Sequence, residues 1–341
     1  MDEFFEMVDL IAKKIKQTEE SVLKLSNFLR KFELTKSVEK SGLKNVRIAA
    51  VDGGLVQRSF HGFDMILTRA CGVLYEYKEG KLVNVDYYPN SNPKPAVSII
   101  FTSSSDFEFA WRSSFERQEA EINLAYEVIK KWEPDFLLLD GSLVPSQLEI
   151  SNGVVNELYR KWVKSYKKLF NVAKGRLVGA IKDSRGSRFC EEVSKKFEIP
   201  KELVHGLETV RDTNLLFYLL KVGERSVAFN YSSNPSKHPV LKEFGEFGKI
   251  INVFYIKTAE FDRPIRVELL STDEGTVDKL SSILLAISGQ HPGYGIPSIL
   301  IEADQRARIK ESIIDTIYQD IFRKTGALPS LLKLRGKDRP F

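Results

Sequence analysis

The sequence predicts an α/β fold in which a sheet is flanked by helices. Two apolar runs, 46–52 and 136–140, indicate buried strands, and each ends on an Asp-Gly turn signal. Amphipathic helices follow these runs, and β-rich segments come directly after the first one. The predicted order after the N-terminal region is β, β, β, α, β, α, β, and strands that alternate with helices are typical of α/β domains.

The N-terminal segment, residues 1–35, predicts one long amphipathic helix. Apolar residues from Phe4 to Phe32 recur alternately four and three positions apart, with one break at Thr18. That spacing is close to a heptad repeat. We expect the helix to pack on the domain or on a second subunit, and a polar linker over 36–44 follows it.

The first three strands are predicted next along the chain. The first begins near Val46, and the second and third are expected near 65–77 and 82–88. The polar connection 78–81 contains a glycine, which predicts a hairpin between the second and third strands.

Helices and strands then alternate. We expect a helix over 113–132, a strand over 136–140, a helix over 154–170 and a strand over 176–182. The later signals are weaker, and they predict helices near 188–197, 212–220 and 277–288, a final long helix from about 301, and strands near 226–231, 250–257 and 265–270.

Asp52 and Asp140 are the first candidates for a functional site. Each ends a predicted buried strand and precedes glycine, and open α/β sheets commonly bind ligands at this end of their strands. An Asp-Gly pair is also an ordinary turn signal, so each motif alone has a purely structural explanation. The repetition on two strands favours the interpretation that the two carboxylates meet and bind a divalent cation.

The helix between these two strands supplies a third carboxylate. With a helical period, its apolar stripe contains Leu124, Ala125, Val128, Ile129 and Trp132. Glu121 lies within that stripe, and glutamate is rarely buried without a partner. We expect Glu121 to face Asp52 and Asp140, and an ion pair with an arginine such as Arg117 is the alternative.

The last helix offers a fourth carboxylate, from Glu302 or Asp304. Both are expected in its first turn, where acidic side chains also stabilise the helix dipole. Stabilisation of the helix dipole is by itself sufficient to explain the presence of one of these two acids.

Three or four carboxylates around one point favour Mg²⁺ or Mn²⁺, because zinc prefers nitrogen and sulfur ligands. Two such ions that share a bridging phosphate activate water and stabilise the leaving oxygen. Lys182 follows a predicted strand, where it would neutralise the scissile phosphate or orient the nucleophile. An ordinary lysine at a strand end is the alternative.

Other chemistries find no support in the sequence. It contains no Gly-x-x-x-x-Gly-Lys-Ser/Thr loop, no Gly-x-Ser-x-Gly elbow and no His-Glu-x-x-His pair. Cys71 and Cys190 lie far apart, which disfavours a zinc ribbon and a disulfide framework. No apolar stretch approaches the roughly 18 residues of a membrane span, and the acidic N-terminus is unlike a signal peptide. We therefore expect a cytoplasmic protein that does not bind membranes.

The net charge of +5 at pH 7 is concentrated in two segments. Residues 159–168 interleave bases with aromatic residues, and 333–339 form a basic stretch in a C-terminal tail, 326–341. Such segments suit phosphate neutralisation and base stacking on single strands. A solvated helix face and a disordered tail are the alternative explanations.

Four short motifs together resemble the NurA nucleases of archaea. They are Val51-Asp52-Gly53-Gly54, Leu139-Asp140-Gly141-Ser142-Leu143, Gly179-Ala180-Ile181-Lys182-Asp183-Ser184 and Pro297-Ser298-Ile299-Leu300-Ile301-Glu302-Ala303-Asp304. The resemblance implies that residues 45–325 form a ribonuclease H-like nuclease domain with insertions. Such a domain has a mixed sheet flanked by helices, here with the long N-terminal helix and C-terminal helical and β additions.

The resemblance also implies a function and a site. The function is that of a Mn²⁺- or Mg²⁺-dependent DNA nuclease that degrades DNA from 5′ ends and cuts single strands. Asp52 and Asp140 match the family's metal aspartates, and Glu121 matches its helical glutamate. Asp304, chosen over Glu302 by its motif position, falls on a site that can be histidine in this family. We expect these four carboxylates to bind two ions and Lys182 to contact the phosphate.

A homodimer and a partnership with the hexameric translocase HerA, in the processing of DNA ends for recombination, are implied as well. The N-terminal helix is our candidate for dimer or partner contacts, and the basic aromatic helix near Trp162 is our candidate for guiding DNA. A non-catalytic DNA-binding or clamp subunit and an RNA-directed nuclease of the same fold are the alternative functions.

Overall fold

The computed structural model describes residues 2–101, 105–145 and 154–326. These residues form eleven strands and ten α-helices. The strands are β1 (Thr35–Ser37), β2 (Asn45–Ser59), β3 (Asp64–Lys78), β4 (Lys81–Tyr88), β5 (Ala96–Ile100), β6 (Phe136–Asp140), β7 (Leu177–Ile181), β8 (Glu224–Ser226), β9 (Phe229–Asn230), β10 (Ile251–Lys257) and β11 (Ile265–Leu270). The helices are α1 (Asp2–Leu29), α2 (Asp106–Trp132), α3 (Val154–Ala173), α4 (Arg188–Lys196), α5 (Lys201–Thr209), α6 (Asp212–Leu219), α7 (Leu241–Phe244), α8 (Glu274–Ile287), α9 (Ser298–Ala307) and α10 (Ser312–Thr325).

All of these strands belong to one mixed sheet. Its order is β1-β8-β10-β11-β7-β6-β2-β3-β4, with β5 paired to β3 and β9 paired to β10. β2, β3 and β4 form an antiparallel meander, and β6 lies parallel to both β2 and β7. The part from β4 to β7 is a ribonuclease H-like core, which confirms the predicted fold. The other strands extend the sheet beyond β7.

Side chains that alternate along the central strands divide the core between the two faces of the sheet. On β2, Ala49 and Val51 pack toward α2 and α3, whereas Ile48 and Ala50 pack toward α8 and α9. Each face of the sheet is therefore covered by its own pair of helices. This division decides on which side each functional side chain emerges.

The long N-terminal helix is confirmed, although α1 already ends at Leu29. Its C-terminal half packs against α5 and α6 through Val22, Leu25 and Leu29. The apolar residues of its N-terminal half are instead exposed: Phe4, Phe5, Met7, Val8, Leu10, Ile11 and Ile15. The heptad-like stripe thus passes from the protein core to the surface.

The single long helix predicted from about residue 301 is wrong. α9 ends at Ala307, α10 begins at Ser312, and a short connection joins them. The apolar stripe is divided because Ala303 packs in the core of the sheet, whereas Ile314 packs in a separate cluster with Met65 at the far end of β3.

The basic stretch 333–339 lies outside the described residues. Among the helices that are described, none is long and apolar enough to cross a membrane.

Candidate metal centre

Asp52 and Asp140 lie side by side on neighbouring strands. Asp140 ends β6, but the prediction that Asp52 also ends its strand is wrong, since β2 continues to Ser59. The strand stays extended through Gly53 and Gly54 because both remain paired with β3. β2 and β6 pair in parallel up to the residue before each aspartate. Two residues earlier, Ala50 and Leu138 pack toward α8 and α9. Because side chains alternate along a strand, both carboxylates emerge on this same face.

Asp304, which is a residue of α9, lies next to the two strand aspartates. One carboxylate oxygen from each of Asp52, Asp140 and Asp304 lies within 4.8 Å of the other two. The helix approaches the sheet closely, because a Cβ atom built on Gly54 would lie 2.0 Å from the carbonyl oxygen of Ala307. Glycine is the residue that permits such an approach of two backbones. Gly54 therefore controls how near Asp304 comes to Asp52 and Asp140.

The three carboxylates repel one another, and solvent reaches them unequally, since Asp52 is buried, Asp140 is half-buried and Asp304 is exposed. Burial, Asp140 and, more weakly, Asp304 raise the pKa of Asp52 to about 7. The Gly53 amide, which donates to Asp52 Oδ1 at 2.6 Å, and the charge of Lys182 oppose this shift only in part. A divalent cation between the carboxylates would remove the repulsion. Donors that are all carboxylate oxygens fit Mg²⁺ or Mn²⁺ rather than zinc.

Lys182 lies at the end of β7, directly beside the end of β6. Its ammonium group donates to Asp140 Oδ2 at 2.5 Å. Burial acts to lower the pKa of Lys182, but the hydrogen bond and charge of Asp140 prevail and raise it. The structure therefore places a fixed positive charge at the border of the three-aspartate group.

Glu121 lies on the other face of the sheet, because α2 covers that face. A Cβ atom built on Gly53 would lie 3.3 Å from Glu121 Oε2. Arg117 pairs with the glutamate, with 3.1 Å between Nη1 and Oε2. Burial nevertheless raises the pKa of Glu121 to about 8, with smaller contributions from Asp52 and Asp140. The ion pair that the sequence left as the alternative is thus formed, and Glu121 stands outside the group of three.

Glu302 and Asp304 lie in the second turn of α9, since the helix begins at Ser298. The predicted first-turn dipole role is therefore wrong. Glu302 accepts hydrogen bonds from the Tyr87 hydroxyl and the Arg306 guanidinium, both at 2.8 Å. Burial acts to raise the pKa of Glu302, but these two partners lower it. Of the two acids, only Asp304 reaches the strand aspartates.

The aromatic side chains of α3 are not available to stack on DNA bases. Tyr159, Trp162 and Tyr166 are at most 7% exposed and pack in the core beside α2. The base-stacking part of the prediction that this helix guides DNA is therefore wrong, because its aromatic positions form its buried stripe. Phosphate contacts of its bases stay a prediction. The bases of α3 are exposed, and one of them, Lys161, pairs with Glu119 at 3.0 Å.

Glu268 of β11 is a site residue that sequence reasoning missed. It is 1% exposed and accepts hydrogen bonds from the Leu143 amide at 2.8 Å and the Ser142 hydroxyl at 2.7 Å. Arg266 balances its charge, with 3.0 Å between Nε and Oε1. The carboxylate thereby holds the turn that follows Asp140. The available signal was a glutamate within an apolar predicted strand, since a buried glutamate needs a partner.

The fold is similar to that of solved NurA structures. The crystal structure of the NurA nuclease from Sulfolobus solfataricus matches with a TM-score of 0.65 at 17% identity, over 95% of this chain and 96% of that chain. NurA with manganese matches with a TM-score of 0.56 at 12% identity, over 94% of this chain and 98% of that one. NurA bound to dAMP and manganese matches with a TM-score of 0.55 at 13% identity, over 90% and 94%.

At the level of sequence, no curated protein matches this chain. A family model described as the NurA domain matches residues 46–309. That match includes Asp52, Asp140 and Asp304, and it confirms the resemblance that the four motifs predicted. Because it spans well over half of the sequence, the chain belongs to the NurA family.

Proposed function

We propose that this protein is a divalent-metal-dependent nuclease that hydrolyses phosphodiester bonds of DNA. The observation that carries the proposal is the group formed by Asp52, Asp140 and Asp304, which separate elements bring within 4.8 Å of one another. Membership in the NurA family supports it. The similar NurA structures that contain manganese, or dAMP and manganese, support both the ion and a nucleotide substrate.

The three aspartates are proposed to hold two ions, either Mn²⁺ or Mg²⁺. When bound, such ions activate water and stabilise the leaving oxygen of an in-line displacement at phosphorus. Glu121 is proposed as a fourth carboxylate of the centre. Although it comes from the other face of the sheet, Asp52 and Asp140 both raise its pKa, so it lies within their electrostatic field.

Two side chains around this group would assist it: one would provide positive charge for the phosphate, and the other would fix the position of Asp140. During hydrolysis the oxygen of water would bond to phosphorus while the bond from phosphorus to the leaving oxygen breaks. The proton that the water loses would be balanced by the proton that the leaving oxygen takes up, and negative charge would develop on the phosphoryl oxygens. The ammonium of Lys182 lies beside Asp140 as a fixed positive charge for those oxygens. Glu268 would act as a positioning residue, since it holds the turn after Asp140.

The finer activities are proposed on family membership. We propose a 5′–3′ exonuclease on single- and double-stranded DNA and an endonuclease on single strands. It would act in DNA end resection during recombinational repair, together with a HerA-type hexameric translocase. A homodimer is proposed as well, and the exposed apolar face of α1 supports self-association.

Replacing one carboxylate tests the central proposal. Asp52→Asn keeps the shape of the side chain and removes its charge, so we expect Mn²⁺-dependent cleavage of a 5′-labelled single-stranded oligonucleotide to fall by about 100-fold or more. Asp86→Asn is the matched control, because Asp86 is an exposed aspartate on β4 rather than on the helix proposed for self-association.

Three outcomes would count against the proposal. Cleavage that survives in Asp52→Asn, with unchanged DNA binding, would refute the assigned centre. A wild-type protein that binds DNA but does not cut it with Mn²⁺ would be a clamp subunit. Faster cleavage of RNA than of DNA with the same sequence and salt would indicate an RNA-directed nuclease, and salt must be matched because it alone shifts affinity strongly.

A further inference from the structure

A groove leads away from the three-aspartate group along β2. It has a volume of about 780 Å³, and Asp52 and Asp304 border one end of it. One wall consists of 53–56 of β2, and the other contains 308–311, the connection from α9 to α10. The groove begins where β2 loses its parallel neighbour, since β6 pairs with it only as far as Val51.

The wall formed by the α9–α10 connection is held in place by several contacts. Arg69 of β3 donates from Nη1 to the carbonyl oxygen of Arg308 at 3.2 Å. Gly54 packs directly against the carbonyl of Ala307. Ile309 is 7% exposed and belongs to the apolar cluster under α10. The backbone of this wall is therefore held in a defined position, and its side chains extend into the groove from that fixed backbone.

Two bases extend from this wall without an acidic partner. Arg308 and Lys310 line the groove and are exposed, and neither forms an ion pair with any residue in the described ranges. The nearby Arg306, in contrast, is paired with Glu302. Unpaired bases beside a group of carboxylates suit a ligand that carries several negative charges and bridges a metal ion.

We propose that this groove holds the sugar-phosphate backbone of the DNA strand that is cut, and that Arg308 and Lys310 each neutralise a phosphate next to the scissile one. The inference rests on the proposed nuclease function, because Asp52 and Asp304 mark the position of the scissile phosphate. Contacts to phosphates carry no sequence information, so the groove binds strands without regard to sequence.

The opposite side of the centre is less suited to a strand. The cavity there is smaller, about 310 Å³. Its arginine, Arg117, is already paired with Glu121. Among the described residues that line these two cavities, the unpaired bases therefore lie on the Asp304 side.

The test compares two double variants that each remove two positive charges. Arg308→Gln with Lys310→Gln removes both basic side chains that line the groove. Lys78→Gln with Lys81→Gln is the control, because both lysines are exposed and lie at the opposite end of β3 and β4. Binding of a fluorescent single-stranded oligonucleotide is measured by anisotropy across a salt series, with Ca²⁺ in place of Mn²⁺.

The groove variant should bind roughly 20-fold more weakly near 0.1 M salt, and the slope of log K against log salt should become shallower by about 1.4, since each phosphate contact on a single strand contributes about 0.7. The control should keep the wild-type slope. Equal affinities and slopes for the two double variants overturn the proposed groove.

The failure of this inference can be told apart from the failure of the nuclease proposal. If the two double variants bind equally while the wild type cleaves with Mn²⁺ and Asp52→Asn does not, only the groove assignment fails. If the wild type does not cleave at all, the proposed function itself fails.

Discussion

The ammonium nitrogen of Lys182 lies 2.5 Å from Oδ2 of Asp140, so one carboxylate of the three-aspartate group already has a cation from the protein itself. The pair joins the ends of two adjacent parallel strands, β6 and β7. A divalent ion would have to share Asp140 with this lysine. Under the proposed function, Lys182 would be both a competitor of the metal ion for Asp140 and a positive charge for the phosphate.

Removal of this lysine should separate metal binding from turnover. In Lys182→Gln we expect tighter Mn²⁺ binding, because Asp140 loses its competing cation. Cleavage at saturating Mn²⁺ should fall by about 100-fold, because the phosphate loses a fixed charge. Electron paramagnetic resonance titration of Mn²⁺ and single-turnover rates measure the two effects. An unchanged rate at saturating Mn²⁺ would contradict the role, and Lys182→Arg should retain more activity than Lys182→Gln.

The raised pKa of Asp52 predicts how metal-free stability depends on pH. The pKa changes from 3.8 to about 7 on folding, so between these values the folded state binds more protons than the unfolded state. The stabilisation from this group is thus fully present below about pH 4 and is lost as pH rises through 7. Bound Mn²⁺ should remove the loss, because the cation replaces the proton.

Thermal unfolding of the wild type and Asp52→Asn from pH 4 to 8, in EDTA and in Mn²⁺, checks this expectation. The difference between the two proteins isolates Asp52 from the other carboxylates. Glu121 also has a raised pKa and adds a slope of the same sign. A wild-type minus Asp52→Asn difference that does not fall between pH 4 and 7 in EDTA would show that Asp52 titrates normally.

The Arg266–Glu268 pair predicts a non-additive pattern of stability. Glu268→Ala leaves Arg266 as a buried, unpaired charge, which should cost about 3–5 kcal/mol of unfolding free energy. Arg266→Met combined with Glu268→Leu should be less destabilised than Glu268→Ala, because no buried charge is left alone. Urea unfolding measures the free energies. Equal losses in the single and double variants would mean that the ion pair is not the source of the effect.

Gly54→Ala should weaken the metal centre without changing any carboxylate. The added Cβ would meet the Ala307 carbonyl oxygen at 2.0 Å, so α9 must move and carry Asp304 with it. We expect a loss of stability of about 1–3 kcal/mol and roughly tenfold weaker Mn²⁺ binding. Gly42→Ala is the control, because a Cβ there meets only a lysine side chain at 4.0 Å. Normal Mn²⁺ binding in Gly54→Ala would show that α9 does not need this contact.

The exposed face of α1 predicts the oligomeric state. Ile11 is 52% and Ile15 is 63% exposed, so Ile11→Glu with Ile15→Glu should convert the proposed dimer to a monomer. Thermal stability should lose only the concentration-dependent part that association contributes. Sedimentation velocity measures the mass. Val83→Glu, at a residue of β4 that is 52% exposed, controls for a general effect of added charge. A dimer that persists in the double variant would place the interface elsewhere.

The strand aspartates could be predicted because their signal is local. An apolar run followed by Asp-Gly correctly places Asp140 at the end of β6. For Asp52 it marks the point where parallel pairing with β6 stops, rather than the end of β2. The choice of Asp304 over Glu302 required the family motif. Helical phase alone cannot show how closely α9 approaches the sheet, which depends on Gly54.

Features that depend on contacts between elements were predicted less well. The helical phase correctly predicts that Glu121 is buried, but it does not show which face of the sheet α2 covers. Glu268 was missed because its partner Leu143 is 125 residues away. For Tyr159, Trp162 and Tyr166 a signal existed, since their spacing of three and four is that of the buried stripe of a helix.

Three consecutive residues of β2 have three different neighbours: Asp52 faces Asp304, Gly53 faces Glu121, and Gly54 faces the backbone of α9. A shift of one residue would exchange the two faces of a strand. A single insertion before Asp52 would turn the aspartate toward α2 and leave the α9 side without it. The number of residues in β2 before Asp52 therefore matters to the centre as much as the identity of Asp52 itself.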